Sequence, residues 1–181
     1  MCSSDLRWFA EHQLTGNICP SIIANDDVVF VFGGFRSAGS FAVRAGGDGD
    51  VTDSHILWTS RNSSYVATPL LYEGYLYWIS DSGQAYCVVA ETGELVYRER
   101  VAEIKAGGRP VYASPVIANG NIYVPSRNDG VLVLPARPHY SITVQNRFTG
   151  DESDFNATPA ISNNQIFLRS NLFLYCVANR N

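Results

Sequence analysis

Pro69-Leu70-Leu71-Tyr72-Glu73-Gly74-Tyr75-Leu76-Tyr77 reads as two short apolar runs joined by a two-residue turn. Gly and Asn tolerate the positive φ that a tight primed turn demands, so Glu-Gly between β-rich runs signals a hairpin. The template recurs in Ser21-Ile22-Ile23-Ala24-Asn25-Asp26-Asp27-Val28-Val29-Phe30 and in Pro115-Val116-Ile117-Ala118-Asn119-Gly120-Asn121-Ile122-Tyr123. It appears a fourth time in Pro159-Ala160-Ile161-Ser162-Asn163-Asn164-Gln165-Ile166-Phe167. The four segments begin at 21, 69, 115 and 159, which are 48, 46 and 44 residues apart.

Working outward, each template leads through a polar turn into a third apolar run. Those turns are Ser80-Asp81-Ser82-Gly83, Arg127-Asn128-Asp129-Gly130 and Arg169-Ser170-Asn171. A fourth run closes the unit at His55-Ile56-Leu57-Trp58, Glu94-Leu95-Val96-Tyr97 and Tyr140-Ser141-Ile142-Thr143-Val144. Four short strands per ~40–50 residues make the blade of a β-propeller. One such sheet cannot hide both faces alone, so neighbouring blades must stack. The expected fold is therefore all-β, with a sandwich of similar strands as the alternative.

Glu94 to Lys105 has helix-forming composition, with apolar residues at 95, 96, 97, 101 and 104. The repeat register assigns it to a fourth strand instead. The repeats divide at about 17–64, 65–110, 111–154 and 155–181. Residues 7–13 read as the outer strand of a blade whose earlier strands are absent, and the last unit ends after its third strand, Leu172–Val177. These remnants add to one whole blade, giving about four blades. Half of a seven- or eight-bladed ring is the expected architecture, beside a four-bladed ring or a dimer of half-rings.

The 181 residues are 46% hydrophobic and 12% aromatic, enough for a core, but only 17% charged against a typical ~25%. Thirteen basic residues are scattered among seventeen acidic ones for a net charge of −4, which argues against nucleic acid. Apolar runs such as Val28–Phe32 fall far short of the ~18 residues of a membrane helix. Residues 1–6 lack the basic start and apolar stretch of a secretory signal. Cys2-Ser3-Ser4-Asp5-Leu6 matches the translation of a sequencing-adapter tail, so residues 1–6 read as a non-native leader. Residues 7–181 are then expected to be a C-terminal gene fragment.

Beyond that leader the cysteines are Cys19, Cys87 and Cys176, too few and too scattered for a disulfide framework or a zinc site. Cys87 and Cys176 share similar contexts and read as small buried thiols in equivalent strands. Asp48, Asp50 and Asp53 are weak Ca²⁺ candidates in a Gly-rich loop. The EF-hand test fails, with Asp53 where Gly belongs and Thr59 where Glu belongs, so a solvated loop is expected. His12, His55 and His139 have no recognisable nucleophile turn nearby. Tyr65, Trp78, Tyr112 and Phe155 flank equivalent strand starts or hairpins, and they suit either core packing or an aromatic ligand surface.

The segment Cys87-Val88-Val89-Ala90-Glu91-Thr92-Gly93-Glu94-Leu95-Val96-Tyr97 resembles the repeat of pyrroloquinoline-quinone-like propellers, Ala-x-Asp-x-x-Thr-Gly-x-x-x-Trp. Thr92 and Gly93 are kept, while Cys87, Val89 and Tyr97 replace the Ala, Asp and Trp. The run Arg44–Thr52 followed by His55-Ile56-Leu57-Trp58 is similar to planctomycete-type members, as is the ending Leu172–Ala178. The resemblance implies blade docking through Thr92, Gly93, Tyr97 and Trp58, and an extracytoplasmic or periplasmic setting.

Quinone dehydrogenases of this fold carry adjacent cysteines, a catalytic Asp and a bound Ca²⁺, and no residue here can be matched to them. The expected function is a non-catalytic binding or scaffold module, taking a protein or small molecule on a propeller face or in its funnel. No cofactor is expected. The alternative is a fragment of a dehydrogenase using pyrroloquinoline quinone and calcium. Open blade faces and edges also predict self-association of half-rings.

Overall fold

Turn chemistry sets the hairpins. Glu73 and Gly74, Asn119 and Gly120, and Asn163 and Asn164 all have positive φ, between 47° and 80°. These pairs are the primed turns expected between the first two strands of each unit. The first unit differs: its connection spans Asn25–Asp27, and the Asn25 side chain closes it by accepting from Val28 N at 3.1 Å.

The computed structural model describes residues 5–35, 37–105 and 107–178. Of the expected leader, residues 1–4 lie outside these, and Asp5 and Leu6 are exposed. A short β1 (Trp8–Phe9) precedes the first sheet, which comprises β2 (Ile23–Ala24), β3 (Val28–Gly33), β4 (Gly39–Arg44) and β6 (Ile56–Ser60). An insertion before β6 holds β5 (Gly49–Asp50) and a single helical turn, α1 (Thr52–His55). The second sheet runs β7 (Leu70–Tyr72), β8 (Tyr75–Ile79), β9 (Gln84–Val89), β10 (Leu95–Arg100). The third runs β11 (Val116–Ala118), β12 (Asn121–Ser126), β13 (Gly130–Pro135), β14 (Val144–Asn146). The fourth has three strands, β15 (Ala160–Ser162), β16 (Gln165–Arg169) and β17 (Leu174–Val177). All pairings within these four sheets are antiparallel and follow chain order.

Several expectations need correction. Residues 7–13 do not complete the fourth sheet: β1 pairs in parallel with β5 instead. The Gly-rich loop is not wholly irregular, because it contains β5 and α1, and His55 ends that turn rather than starting β6. In the third unit the outer strand is Val144–Asn146, not Tyr140–Val144. Tyr140 and Ile142 pack instead into the core between the second and third sheets, which holds that run out of the ladder. Glu94–Lys105 gives strand β10 with a turn after it, as the register required.

Alternation along each strand puts apolar residues on both faces, and in the second sheet both faces are covered. Phe30, Phe32, Ala42 and Trp58 of the first sheet meet Leu76, Trp78, Tyr86 and Val88 of the second. Tyr77, Ile79 and Cys87, on the second sheet's other face, meet Ile122, Val124, Leu132 and Leu134 of the third. Between the third and fourth sheets Phe148 lies 5.3 Å from Phe155 and 4.3 Å from Tyr175, ring centre to ring centre.

Two polar devices reinforce this stacking. Ser21 N donates to Thr68 Oγ1 at 2.9 Å, Thr68 N to Ser114 Oγ at 2.9 Å, and Ser114 N to Thr158 Oγ1 at 3.2 Å. This relay ties the start of each first strand to the next, so the first strands form the inner edge. The second device is Trp58, whose Nε1 donates to Ala90 O at 2.9 Å. Its ring covers Gly93, where a Cβ would lie 2.6 Å from Trp58 Cδ2 and where φ is +73°.

Cys176 corrects the expectation of two buried thiols. Cys87 pairs with Tyr77 as Cys176 pairs with Phe167, so the positions are equivalent. Cys87 is 0% exposed beneath the third sheet. Cys176 is exposed, because no described sheet follows the fourth.

These contacts set measurable stabilities. Trp58→Ala is expected to cost ~3–5 kcal/mol, and Trp58→Phe, which loses chiefly the bond to Ala90, ~1 kcal/mol, read by urea denaturation. Gly93→Ala is expected to cost more than ~1 kcal/mol, since it adds a clash to an unfavourable φ. Burial pushes the Cys87 thiol up to about 11. At pH 8 in dilute native protein, iodoacetamide followed by mass spectrometry should label Cys19 and Cys176 well before Cys87.

Asp151 supplies a pH signature. Its carboxylate accepts from Ser153 Oγ at 2.6 Å and from Tyr175 OH at 2.6 Å, and these bonds hold its pKa well below the usual carboxylate range. A depressed folded pKa contributes stability above the unfolded value of ~3.9 that is lost as pH falls below it. Asp151→Asn should therefore flatten the decline in thermal midpoint below about pH 4.

Candidate functional site

Strand direction alternates, so the tight hairpin turns crowd one rim and the second-to-third-strand turns share the opposite rim with the sheet-to-sheet linkers. The linker rim carries the most organised side chains. Phe35 sits in the second-to-third-strand turn of the first sheet, its ring centre 5.4 Å from that of Tyr65 in the next linker and tilted to it. The Arg109 guanidinium lies 4.9 Å from the Tyr65 ring centre and 5.3 Å from that of Phe35. Asp81 fixes it from below, 3.4 Å from Arg109 Nε. The Tyr112 and Tyr65 hydroxyls, with the Asp81 charge, push the Arg109 pKa further up.

The pattern repeats one junction on. Arg127 places its guanidinium 5.1 Å from the Tyr112 ring centre and forms an ion pair with Asp154. Asn128 Nδ2 donates to the same carboxylate at 2.7 Å. Asn128 first, and then Arg127, hold the Asp154 carboxyl below its ordinary value. Aromatic rings and guanidinium planes thus alternate across the two junctions that link the first three sheets. Each such contact is worth ~0.5–1 kcal/mol at an exposed site, and more once water is removed.

The linker backbones on this rim are held the same way at the first, third and fourth sheets. Phe35 N donates to Thr15 O at 3.0 Å, Arg127 N to Pro110 O at 2.8 Å, and Asn171 N to Asp154 O at 3.0 Å. The rings are therefore set on tied-down backbone rather than free loops. Phe35 is exposed, while Tyr65, Tyr112, Arg109 and Arg127 are half-buried. On the opposite rim a groove of about 950 Å³ opens between the third and fourth sheets, lined by Ile117, Tyr123, Ile161, Asn164 and Val177.

The residues singled out from sequence fall in four places. Tyr65 and Tyr112 join the linker rim, whereas Trp78 is buried and stacks 4.7 Å from Tyr86, and Phe155 is buried between the last two sheets. Trp58 covers Gly93, and Thr92 closes its turn by accepting from Glu94 N at 3.3 Å. Tyr97, at the position equivalent to Trp58, packs with its ring centre 5.7 Å from that of Tyr140. Asp48, Asp50 and Asp53 are exposed and separate, and Asp50 is occupied with Thr52 N at 3.0 Å.

His12 lies 5.5 Å from the Phe41 ring, His55 bonds Ser54 Oγ at 2.8 Å, and His139 is exposed. Sequence reading missed Arg109, Arg127, Asp81, Asp154 and Phe35. Their signal was positional: Tyr65 and Tyr112 lie three and two residues before the relay residues Thr68 and Ser114.

The donors of a quinone and calcium centre are not gathered here. Cys19, Cys87 and Cys176 are free thiols on different sheets or linkers. Among the described residues no three His, Cys, Asp or Glu side chains cluster to hold a metal ion. The residues present therefore do not fit that group. No helix of the described residues is long and apolar enough to cross a membrane.

The sequence matches no family profile and no curated protein. Solved structures are similar in shape. BamB from Moraxella catarrhalis aligns with TM-score 0.60 and 16% identity over 80% of this chain and 40% of its own. The quinohemoprotein alcohol dehydrogenase ADHIIG from Pseudomonas putida HK5 aligns at 0.67 and 14% over 91% of this chain and 30% of its own. The computationally designed protein Ika4 aligns at 0.69 and 8% over 97% of this chain and 99% of its own. The chain thus spans well under half the length of the two natural proteins. Stacked antiparallel sheets of three or four strands, joined in chain order and shared with these structures, give this chain a β-propeller fold.

Proposed function

We propose that the chain is a non-catalytic binding module that takes a protein segment on its linker rim, across Phe35, Tyr65, Arg109, Tyr112 and Arg127. The observation that carries this reading is the alternation of rings and guanidiniums, each guanidinium fixed by its own carboxylate. Pre-positioned Tyr and Arg side chains supply contact area and donors at low entropic cost, and these residue types dominate interface hot spots. Because Asp81 and Asp154 answer the two charges, the rim is not a sink for bare anions. It suits an amphipathic peptide whose carbonyls accept from the tyrosines and arginines while an apolar side chain meets Phe35. The family resemblance adds an extracytoplasmic setting to the proposal.

A rival reading, favoured by the likeness to quinohemoprotein alcohol dehydrogenases, is that the chain is part of an enzyme using pyrroloquinoline quinone and calcium. Displayed-peptide selection on the full chain, followed by calorimetry, separates the two. Selected peptides should lose at least ~30-fold in affinity with Phe35→Ala or Tyr65→Ala, as hot-spot truncations do. Peptides indifferent to both substitutions would overturn the rim as the site. Dye reduction by the purified protein given the quinone and Ca²⁺ would overturn the non-catalytic reading.

A further inference from the structure

The linker rim has an uneven hydrogen-bond inventory. Arg109 and Arg127 carry donors only. The carboxylates beside them are already turned to them: Asp81 Oδ2 lies 3.4 Å from Arg109 Nε, and the two oxygens of Asp154 take Arg127 and Asn128. The Tyr65 oxygen accepts from Asn17 Nδ2 at 3.4 Å and, like that of Tyr112, lies against Arg109. A phenol oxygen that accepts in this way keeps its own O–H for another partner. The backbone oxygens of Thr15, Pro110 and Asp154 are used by the N–H groups of Phe35, Arg127 and Asn171. These acceptors are taken, and the rim presents ring faces and donors.

That asymmetry discriminates between peptide conformations. None of Phe35, Tyr65, Arg109, Tyr112 and Arg127 lies in a strand, so an added strand finds no ladder to extend there. Its N–H groups would be buried against other donors, and each one left unpaired weakens binding. A helix satisfies its carbonyls internally, so its backbone offers nothing to the tyrosines and arginines. A polyproline II segment is the opposite case. It has no internal hydrogen bonds, its carbonyls project outward, and each proline lacks an N–H. Its rings suit an aromatic-lined notch. Phe35 and Tyr65 form such a notch, with ring centres 5.4 Å apart and planes splayed by 43°, and Phe35 is 54% exposed. One junction on, Tyr112 lies under the Arg127 guanidinium and supplies a second ring.

We propose, given that rim as the binding site, that the segment it takes is proline-rich and in the polyproline II conformation. One proline seats in the notch between Phe35 and Tyr65, and a later one meets Tyr112. The intervening carbonyls accept from the Tyr65 and Tyr112 hydroxyls and from Arg109. Selection rests on the N–H that proline lacks rather than on charge, because both guanidiniums are already paired.

End-blocked decaproline, which has no N–H between its end groups, is the probe. It is titrated by calorimetry into the 181-residue chain, beside the same peptide with every second proline replaced by alanine. Decaproline should bind, and the alanine-containing peptide, which regains N–H groups, should bind at least ~10-fold more weakly. Tyr65→Phe keeps the ring and removes the hydroxyl, so it should weaken decaproline ~5-fold with the unfolding midpoint little changed. Phe35→Ala should abolish detectable binding. Equal binding of the two peptides, or decaproline binding that ignores both substitutions, would overturn the proposal. Absence of decaproline binding would overturn it too, and the rim would still stand as a site if proline-free peptides from the selection lose affinity with Phe35→Ala.

Discussion

A sheet that is apolar on both faces cannot be stable alone, and that constraint organises this protein. Each blade here contributes two hydrophobic surfaces, one set by residues such as Leu76, Trp78 and Val88, the other by Tyr77, Ile79 and Cys87. Neighbours must therefore stack in one register, and strand pairing within each blade is fixed as well, because a one-residue slip there would exchange the two faces. The Ser/Thr relay at the inner edge and the Trp58 bond to Ala90 near the outer edge pin that register at both ends of the interface. The apolar contacts supply most of the free energy, and the polar ties specify which arrangement collects it.

The same constraint explains where polar chemistry sits. Blade interiors have no room for unpaired charge, so arginines and carboxylates sit on the exposed outer strand, as Arg98, Glu99 and Arg100 do on β10, and on the rims. There the linkers are anchored by backbone bonds such as Arg127 N to Pro110 O. Anchoring matters for recognition, because a ring or guanidinium held before binding loses less entropy on binding. Arg109 and Arg127 each meet an aromatic face and a carboxylate, so their orientation is decided by the fold rather than by a ligand.

Much of the fold was legible because hairpin turns are local. Glu73-Gly74, Asn119-Gly120 and Asn163-Asn164 declare positive φ by residue type, and the structure has it at each. Register likewise overruled the helical composition of Glu94–Lys105. The misses share a different cause. Tyr140 and Ile142 carry strand-like composition, yet packing against Tyr97 and its neighbours takes them out of the ladder. Cys176 matches Cys87 in sequence context but differs in exposure, because burial belongs to the neighbouring blade and not to the strand. The rim was invisible for the same reason: Arg109 and Tyr65 are 44 positions apart in the chain and meet only through the stacking of blades.

Likeness of fold to quinohemoprotein dehydrogenases carries no chemistry with it. Blade interiors are interchangeable among propellers because they need only matched apolar volume, which many sequences supply. A cofactor centre needs donors on the rims or near the axis, held at fixed distances, and those positions are free to vary without cost to the stack. In this chain the positions beside the relay are occupied by tyrosines, arginines and the carboxylates that answer them. Every carboxylate spent fixing a guanidinium is withdrawn from metal binding, since its lone pairs are directed at N–H groups. The arrangement that orients Arg109 and Arg127 is thus the one that leaves Asp81 and Asp154 unsuited to hold calcium.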